Sequence, residues 1–477
     1  MRKWVIVVVV VLVLVLFLPV SNLIGLGGRN VPIAVKGGAP RFQSVSLVLQ
    51  EKCVDCHSSA LTRMPIYAKL PIASAMIRKD IEEGEEHFKV TREQYSGEQP
   101  FTAIALARLE NAVEEGSMPP GKYVMMHWNS RLAAGEKESI LAWIREERAR
   151  RDEAREMSDA LKGEPIQPLP LTVAVNADKA ALGERLYHDT RLSGDNTISC
   201  ATCHALHLGG TDQEKVSTGI RGQKGPINSP TVYNSAYNLA QFWDGRARDL
   251  QEQAAGPVEN PVEMGAKFDE VAEVLGKDGA YASTFAALYA DGITKDNITG
   301  AIAAFEETLV TPNSRFDKWL RGDPSAITAE EKEGYALFKS EGCTSCHVGP
   351  ALGGGSFEKM GEEEDYFAAR GGEITKADLG RFNVTGKDED RHRFKVPILR
   401  NVAVTFPYFH DGSSNDLGEA IGIMARFQQE EDLTPDQVGK IKAFLLALTG
   451  EYRGTPVDRI PRPATQIPQT PQAALQR

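Results

Sequence analysis

The sequence lacks an excess of positive charge. Its 65 aspartates and glutamates outnumber its 54 lysines and arginines, which gives a formal net charge of −11 and a pI of about 5.5. Proteins that bind nucleic acid backbones usually carry basic patches and a high pI. We therefore expect no nucleic acid partner.

The sequence has no strong bias towards glycine or proline either, with 43 glycines and 26 prolines in 477 residues. Hydrophobic residues make up 42% and charged residues 25%, which is typical of a globular protein and excludes a fibrous or largely disordered one. The length also excludes a small scaffold held together by disulfide bonds. Several folded domains are expected.

No cysteine lies outside one repeated motif, C-x-x-C-H, which is typical of c-type haem attachment. Two thiols one helical turn apart reach the two vinyl groups of a haem, and the next residue places its imidazole beneath the iron. Redox-active or zinc-binding cysteine pairs are the alternative. With only 9 histidines in the chain, however, a histidine directly after the second cysteine in all three motifs is not expected by chance. We predict three covalent haem c groups, at Cys53, Cys56 and His57, at Cys200, Cys203 and His204, and at Cys343, Cys346 and His347.

An apolar run of 17 residues, Trp4 to Val20, follows Arg2 and Lys3. This run is just long enough to cross a bilayer core, and a cleaved signal peptide is the alternative. The positive-inside rule keeps Arg2 and Lys3 in the cytoplasm. We therefore expect a single N-terminal anchor in the inner (cytoplasmic) membrane, with the catalytic domains in the periplasm.

Two segments that precede haem motifs resemble each other, Ala181–Tyr187 before the second motif and Lys332–Phe338 before the third. Both are expected to be helices that lead into haem-binding turns. Helical periodicity recurs along the chain without sustained alternating strands, so the fold is predicted to be mostly α. The predicted segments are the anchor 1–22, a haem domain 40–162, a proline-rich linker 163–175, two further haem domains 176–325 and 326–454, and a proline-rich tail 455–477.

The sixth ligand of each iron separates electron carriers from catalysts. An iron held on both faces transfers electrons, whereas an iron with one open face can bind peroxide or oxygen. For the first haem we expect Met118 as the sixth ligand, because the prolines that follow it make a stiff loop and a thioether suits the iron. Met125, Met126 and His127 are the competing candidates.

Long motifs downstream of the second and third haem motifs resemble those of the bacterial di-haem cytochrome c peroxidases, over roughly residues 176 to 450. The anchor and the extra haem domain resemble the membrane-bound tri-haem branch, which includes quinol peroxidases. The resemblance implies tandem cytochrome c-like domains, two of them forming a di-haem peroxidase core behind an N-terminal haem domain. The motifs are G-P-I-N-S-P-T (225–231), Q-F-W-D-G-R-A (241–247), E-Q-A-A-G-P (252–257), N-P-V-E-M-G (260–265), K-V-P-I-L-R-N (395–401), P-Y-F-H-D-G (407–412) and Met424.

The resemblance implies that His204 is the proximal ligand of the peroxidatic haem and that Glu263 is the distal acid–base residue. Gln253 would line the same pocket, and Trp243 would lie between the two haems and relay electrons. The chemistry requires such a carboxylate, because cleavage of the O–O bond needs a base that takes a proton from one oxygen and returns it to the other.

For the third haem the resemblance implies His347 and Met424 as axial ligands. A related di-haem enzyme, which matures a tryptophan-derived quinone cofactor, has a tyrosine in place of Met424, so the methionine favours a peroxidase. Family members also hold a calcium ion between the two haem domains. The matching positions are Asn228, Thr405 and Pro407, whose amide and carbonyl oxygens suit this hard cation.

One position departs from the family pattern. Many members carry a histidine sixteen residues after the proximal one, and it blocks the peroxidatic iron until the other haem is reduced. Here that position is Ile220, which cannot ligate iron. We therefore expect a peroxidatic haem that is five-coordinate at rest and needs no reductive activation.

The predicted activity is the reduction of hydrogen peroxide to water, with electrons from membrane quinol or from a small c-type cytochrome. Electrons would enter at the N-terminal haem. The resemblance also implies a homodimer. The alternatives are a multihaem electron-transfer cytochrome without peroxidase activity and a di-haem oxidase that acts on a protein substrate.

Overall fold

The computed structural model describes residues 16–17, 19–23, 32–58 and 66–462. The chain divides into two compact units, the first formed by residues 1–155 and 159–165 and the second by residues 156–158 and 166–477. Helices predominate in both, and strands within the described residues are short. The prediction of a mostly α fold is confirmed. The finer boundaries predicted at residues 325 and 454 stay predictions.

The first unit is built of helices around an aromatic core. The indole of Trp143 lies 5.2 Å from the rings of both Phe42 and Phe101. Beside this core, the buried guanidinium of Arg148 forms a 2.6 Å ion pair with Glu110. The helices are α1 (Pro40–Lys52), α2 (Val54–His57), α3 (Pro71–His87), α4 (Arg92–Ser96), α5 (Ala103–Glu115), α6 (Gly121–Met126) and α7 (Ala134–Ala149).

The second unit contains the other two haem motifs, helices and two small antiparallel sheets. The helices are α8 (Ala177–Tyr187), α9 (Cys200–Cys203), α10 (Leu250–Glu259), α11 (Phe268–Gly276), α12 (Gly279–Leu288), α13 (Lys295–Glu306), α14 (Arg315–Leu320), α15 (Ala329–Ser340), α16 (Tyr366–Arg370), α17 (Phe382–Thr385), α18 (Leu417–Gln429) and α19 (Pro435–Leu446). The strands are β1 (Phe357–Lys359), paired with β2 (Arg393–Lys395), and β3 (Glu451–Tyr452), paired with β4 (Thr455–Pro456).

The second unit repeats one helix crossing. Helix α8 packs against α13, and α15 packs against α19. Each crossing is closest at a glycine, because a Cβ atom on Gly183 would overlap the carbonyl of Ala301 and one on Gly334 would overlap that of Lys440. These glycines hold equivalent places in the two similar segments read from the sequence. Both segments are helical, as predicted, and each leads into a haem motif.

The predicted membrane anchor is not supported. Most of the run Trp4–Val20 lies outside the described residues, and none of the described helices is long and apolar enough to cross a bilayer. The longest of them, α3, has 17 residues and carries many charged side chains, whereas a span needs about 20 mostly apolar residues. By this finding the predicted location, an inner-membrane anchor with catalytic domains in the periplasm, is wrong.

Candidate haem sites and active site

The three C-x-x-C-H motifs adopt the same backbone turn. In each, the N–H of the histidine donates to the carbonyl of the first cysteine, at 3.1 Å for His57, 2.9 Å for His204 and 3.0 Å for His347. One helical turn therefore separates the two thiols of each motif and brings them to the same side. This is the spacing that two thioether bonds to one haem require.

Hydrogen bonds orient two of the three imidazoles in a way that suits an iron ligand. Nδ1 of His57 lies 2.9 Å from the carbonyl of Gly84 and 2.7 Å from that of Phe88, and Nδ1 of His347 lies 3.0 Å from that of Leu352. A carbonyl partner fixes the proton on Nδ1 and leaves Nε2 to bind a metal. Burial lowers the pKa of His347 to about 4, which keeps the ring neutral as ligation requires.

The third histidine, His204, is half-buried, and burial lowers its pKa. Among the described residues its Nδ1 has no partner at normal hydrogen-bond distance, although the backbone of Gly210 and of Pro230 favours the protonated ring. Tyr187 fixes the backbone here, since its hydroxyl donates to the carbonyl of His204 at 2.6 Å. All three histidines therefore fit the role of a proximal ligand.

The thiols do not fit the alternatives of a redox pair or a zinc site. All six cysteines are free, and burial raises the pKa of Cys53, Cys200 and Cys343 to about 12, whereas a redox-active thiol needs a lowered pKa. Within the described residues, no cysteine takes part in a cluster of three or more metal-binding side chains. Attachment to haem stays the prediction for these thiols.

Glu263 lies in the turn that follows α10, the helix that carries half-buried Gln253. Its Oε1 accepts a 2.6 Å hydrogen bond from the side-chain amide of Asn260. Burial raises the pKa of the Glu263 carboxyl, although the positive charge of Arg246 and the Asn260 hydrogen bond act in the opposite direction. A carboxyl with a raised pKa holds a proton more readily than an ordinary glutamate, which suits a group that must both take and return one.

The segment that carries Ile220 packs directly against this turn. The backbone N–H of Ile220 donates to the carbonyl of Glu263 at 2.8 Å. A Cβ atom on Gly219 would overlap the carbonyl of Val262, so only glycine allows this approach. The Ile220 side chain is buried, and its Cδ1 lies against Gly265 of the same turn. Position 220 and the carboxyl of residue 263 thus belong to one packed unit.

Trp243 connects segments that follow the two haem motifs of the second unit. Its indole Nε1 donates to the carbonyl of Asn228 at 2.9 Å, and its own carbonyl accepts from the N–H of Lys395 at 2.8 Å. The ring lies edge-on to Phe394 and to His410, with centroids 6.4 Å away in each case. The indole is therefore held by residues that follow the second haem motif and by residues that follow the third.

Met424 lies on α18 and packs against an aromatic cluster that also includes Trp243, Phe394 and Phe427. The expected thioether ligand of the third haem and the expected relay side chain thus share one apolar environment. An environment of this kind suits a thioether ligand, because it keeps water from the iron.

Asn228 contacts the segment that follows Thr405 and Pro407, the other two residues expected to bind calcium. The N–H of Asn228 donates to the carbonyl of His410 at 2.8 Å, at the end of the loop that contains Thr405 and Pro407. The side-chain amide of Asn228 donates to the carbonyl of Glu214 at 3.0 Å, which leaves its side-chain oxygen available to a cation. The donor types fit calcium.

In the first unit, the candidate sixth ligands lie on α6 and the loops beside it. The hydroxyl of Tyr123 donates to Asp55 inside the first haem motif at 2.7 Å, and the ring of His127 stacks on that of Tyr123 with centroids 3.9 Å apart. Met118 is 42% exposed and Met125 is 72% exposed. This segment therefore lies against the first motif, and the choice of Met118 stays a prediction.

The sequence analysis missed three buried ionisable groups of the second unit. Lys395 and Glu306 are each 6% exposed. His410 is buried, and its Nε2 lies 2.8 Å from Oδ1 of Asp378. The same oxygen accepts a hydrogen bond from the guanidinium of Arg370. Burial alone would raise the pKa of Asp378, but the hydrogen bonds from Arg370 and His410 hold it well below its usual range. A lysine inside the apolar run F-K-V-P-I was the available signal for the first of these groups.

Comparison with known proteins identifies the family. Residues 177–325 match the family model described as di-haem cytochrome c peroxidase, and residues 10–146 match the model described as a haem-binding domain. Cytochrome c peroxidase Ccp of Escherichia coli (strain K12) is 45% identical over 408 residues, which covers 85% of this chain and 87% of that protein. The chain belongs to the di-haem cytochrome c peroxidase family. The resemblance stated from the motifs is confirmed.

Two further relatives agree with this membership. The cytochrome c551 peroxidase of Nitrosomonas europaea is 50% identical over 289 residues, which covers 60% of this chain and 85% of that protein. The solved structure of a MauG-like protein associated with microbial copper homeostasis is 29% identical, covers 60% of this chain and 94% of its own, and superposes with a TM-score of 0.53. The protein is therefore a haem peroxidase, with the di-haem fold in its second unit and a haem-binding domain before it.

Proposed function

We propose that this protein carries three haem c groups and reduces hydrogen peroxide to water at the haem bound by His204, with electrons from a small c-type cytochrome. The observation that carries the proposal is the turn at Glu263. A half-buried carboxyl with a raised pKa is fixed there by Asn260, and the neighbouring segment carries an isoleucine in place of a ligating side chain.

The overall reaction takes one hydrogen peroxide, two protons and two electrons to two water molecules. The haem, when bound, supplies the iron that exchanges electrons with peroxide. Glu263 removes the proton from one peroxide oxygen and delivers it to the other, which then leaves as water. Gln253 lines the same pocket and orients the substrate. Asn260 holds the carboxyl in place through its 2.6 Å hydrogen bond.

Trp243 is the proposed route for electrons towards this site. It is fixed by hydrogen bonds at both its indole nitrogen and its carbonyl, so its position between the two haem-binding segments is maintained. Met424 and His347 would hold the haem that feeds it. The haem on Cys53 and Cys56, with His57 and Met118 as ligands, would be the entry point for electrons.

Calcium is proposed at Asn228, Thr405 and Pro407. The carbonyl of Asn228 accepts a hydrogen bond from the indole of Trp243, and the N–H of Asn228 donates one to the carbonyl of His410. An ion at this position would therefore also stabilise the relay residue. Removal of the ion by a chelator is then expected to slow turnover without loss of haem, because the haems are held by thioether bonds.

The donor is supported by the relatives, one of which is named a cytochrome c551 peroxidase. The test compares peroxide consumption with a reduced small c-type cytochrome and with a soluble quinol as sole donors, on protein whose haem content has been measured. Three haems per chain and turnover with the cytochrome support the proposal. Turnover with quinol alone would reassign the donor, and no turnover with either would favour an electron-transfer cytochrome.

A further inference from the structure

Lys395 is a buried cation to which the described residues supply no counter-charge. Its side chain is 6% exposed, and no hydrogen bond or ion pair joins its ammonium group to another group in the part of the chain that the structure describes. Burial lowers the pKa of Lys395 to about 8. The other cation of the same strand face, Arg393, differs in this respect, because its Nε donates to the carbonyl of Glu389 at 2.8 Å.

The position of Lys395 is defined by its backbone. On β2, its N–H donates to the carbonyl of Trp243 at 2.8 Å, and across the sheet it pairs with Phe357 of β1. Strand β1 follows the third haem motif, and Trp243 follows the second. Because side chains alternate along a strand, Phe394 faces the aromatic cluster of Met424 while Lys395 projects from the opposite face. Lys395 therefore lies where a segment that follows the second haem motif meets a segment that follows the third.

An uncompensated ammonium group is costly to bury, and buried charges in proteins are normally paired. The described chain supplies no carboxylate here. A haem carries two propionate carboxylates at one edge, and the segments that follow the second and third haem motifs meet at this strand. A haem propionate is therefore the anion whose chemistry and location match Lys395.

We propose that Lys395 binds a haem propionate beside Trp243 and thereby positions that haem edge at the relay residue and raises the reduction potential of its iron. The inference rests on the haems assigned above to the second and third motifs. A positive charge beside a haem favours the reduced iron, which carries one positive charge less. Lys395 is thus a positioning residue and takes no part in proton transfer.

The experiment measures the midpoint potential of each haem by spectroelectrochemical titration of the holoprotein. Lys395→Met removes the charge and keeps the length of the side chain, and Lys395→Arg keeps the charge. Lys359→Met is the matched control, because Lys359 lies exposed on the partner strand β1. Haem content is measured in parallel, so that loss of a haem is distinguished from loss of the ion pair.

The expected result is a lower potential for one haem in Lys395→Met, with no shift in Lys395→Arg or Lys359→Met. A shift in the high-spin haem assigns the propionate to the group on His204, and a shift in the low-spin haem of the core assigns it to the group on His347. Unchanged potentials in Lys395→Met, or an equal fall in Lys395→Arg, would overturn the proposal.

A second measurement applies if Lys395→Met does not retain its haems. In the wild-type protein, the resonance Raman bending band of a propionate that accepts a hydrogen bond from an ammonium group shifts when H2O is replaced by D2O, and Lys395→Arg keeps a shift of this kind. Propionate bands of the core haems that do not shift in the wild-type protein would contradict the ion pair.

Discussion

The backbone N–H of Ile220 donates a 2.8 Å hydrogen bond to the carbonyl of Glu263. This contact joins the position where many family members carry a blocking histidine to the residue proposed to move protons. The two segments are distant in the sequence but pack as one unit, because Gly219 permits the close approach. We therefore expect the coordination of the iron and the position of the proposed acid–base carboxyl to be coupled through one turn.

Replacement of Glu263 by glutamine is expected to lower the rate of peroxide reduction by about 10²- to 10⁴-fold, the usual contribution of a general acid–base group. Glutamine preserves the shape and the bond to Asn260 but cannot take a proton. The measurement is steady-state peroxide consumption, with haem content and full reduction by dithionite as checks. The matched control is Glu259→Gln, at an exposed position of the preceding helix. Retained turnover in Glu263→Gln would show that another group moves the proton.

The pH profile should show the raised pKa of Glu263. The reaction needs the ionised carboxylate, so activity is lost as the pH falls through the pKa of this group. Because burial raises that pKa, the acidic limb is expected above the ordinary glutamate value of about 4.3. Rates measured from pH 4 to pH 8 test this, and the residual activity of Glu263→Gln should lack the limb. A limb that persists in the variant would belong to a different residue.

Histidine at position 220 should convert the enzyme to one that needs activation. In Ile220→His, an imidazole on the segment against the Glu263 turn can ligate the peroxidatic iron. We expect a low-spin resting spectrum at this haem, and a lag in peroxide turnover that pre-reduction abolishes. The matched control is Ile220→Val, which keeps an aliphatic side chain. A variant that remains high-spin and active without a lag would mean that this segment does not face the iron.

Loss of the relay indole should slow electron delivery and leave peroxide binding intact. Trp243→Phe removes the Nε1 hydrogen bond to Asn228 while it keeps an aromatic ring. The expected result is a several-fold lower kcat with little change in KM for peroxide, measured with saturating donor. Trp319→Phe serves as the control, since Trp319 packs on Phe316 and Tyr335. An equal kcat in both variants would remove Trp243 from the electron route.

Glu306 should make the protein less stable as the pH rises. It is buried on α13, no described residue donates a hydrogen bond to its Oε2, and burial raises its pKa to about 8. Between the unfolded value of about 4.3 and pH 8, the folded state binds more protons than the unfolded state, so stability falls as the pH increases. Glu306→Gln should therefore raise the unfolding temperature at pH 8 and change it little at pH 4.

The comparison for Glu306 is Glu307→Gln, at the exposed neighbouring position. Thermal unfolding of the two holoprotein variants at pH 4, 6 and 8 measures the difference directly. A Glu306→Gln variant with the same pH dependence as the wild-type protein would show that this carboxyl is ionised or paired in the folded state.

Much of the fold follows from local sequence signals. The two helices that lead into haem motifs were predicted from their similar sequences, and their glycines, Gly183 and Gly334, mark equivalent crossings. Helix α15 begins where Thr328 and Glu331 form a capping box, which is a local pattern as well. The spacing of the C-x-x-C-H motifs likewise gave the haem-binding turns, because that geometry is set within five residues.

The burial of ionisable groups could not be predicted in the same way. Apart from the apolar run around Lys395, nothing local distinguishes Lys395 or Glu306 from the many exposed charges, because their burial depends on strands and helices distant in the chain. The contact between Ile220 and Glu263 has the same origin. Conversely, the apolar N-terminal run gave a strong local signal for a membrane anchor, and the described helices do not support it. Local hydropathy depends only on neighbouring residues in the sequence, whereas the burial of a charge and the contacts between distant segments depend on tertiary packing.

The most direct test of the account is stopped-flow mixing of the as-isolated, fully oxidised holoprotein with hydrogen peroxide and a reduced small c-type cytochrome. We predict immediate oxidation of the cytochrome, two equivalents for each peroxide, at the same rate as after pre-reduction. The resting spectrum should contain one high-spin haem. A lag that pre-reduction removes, or a resting spectrum with every haem low-spin, would contradict an open peroxidatic site beside Glu263.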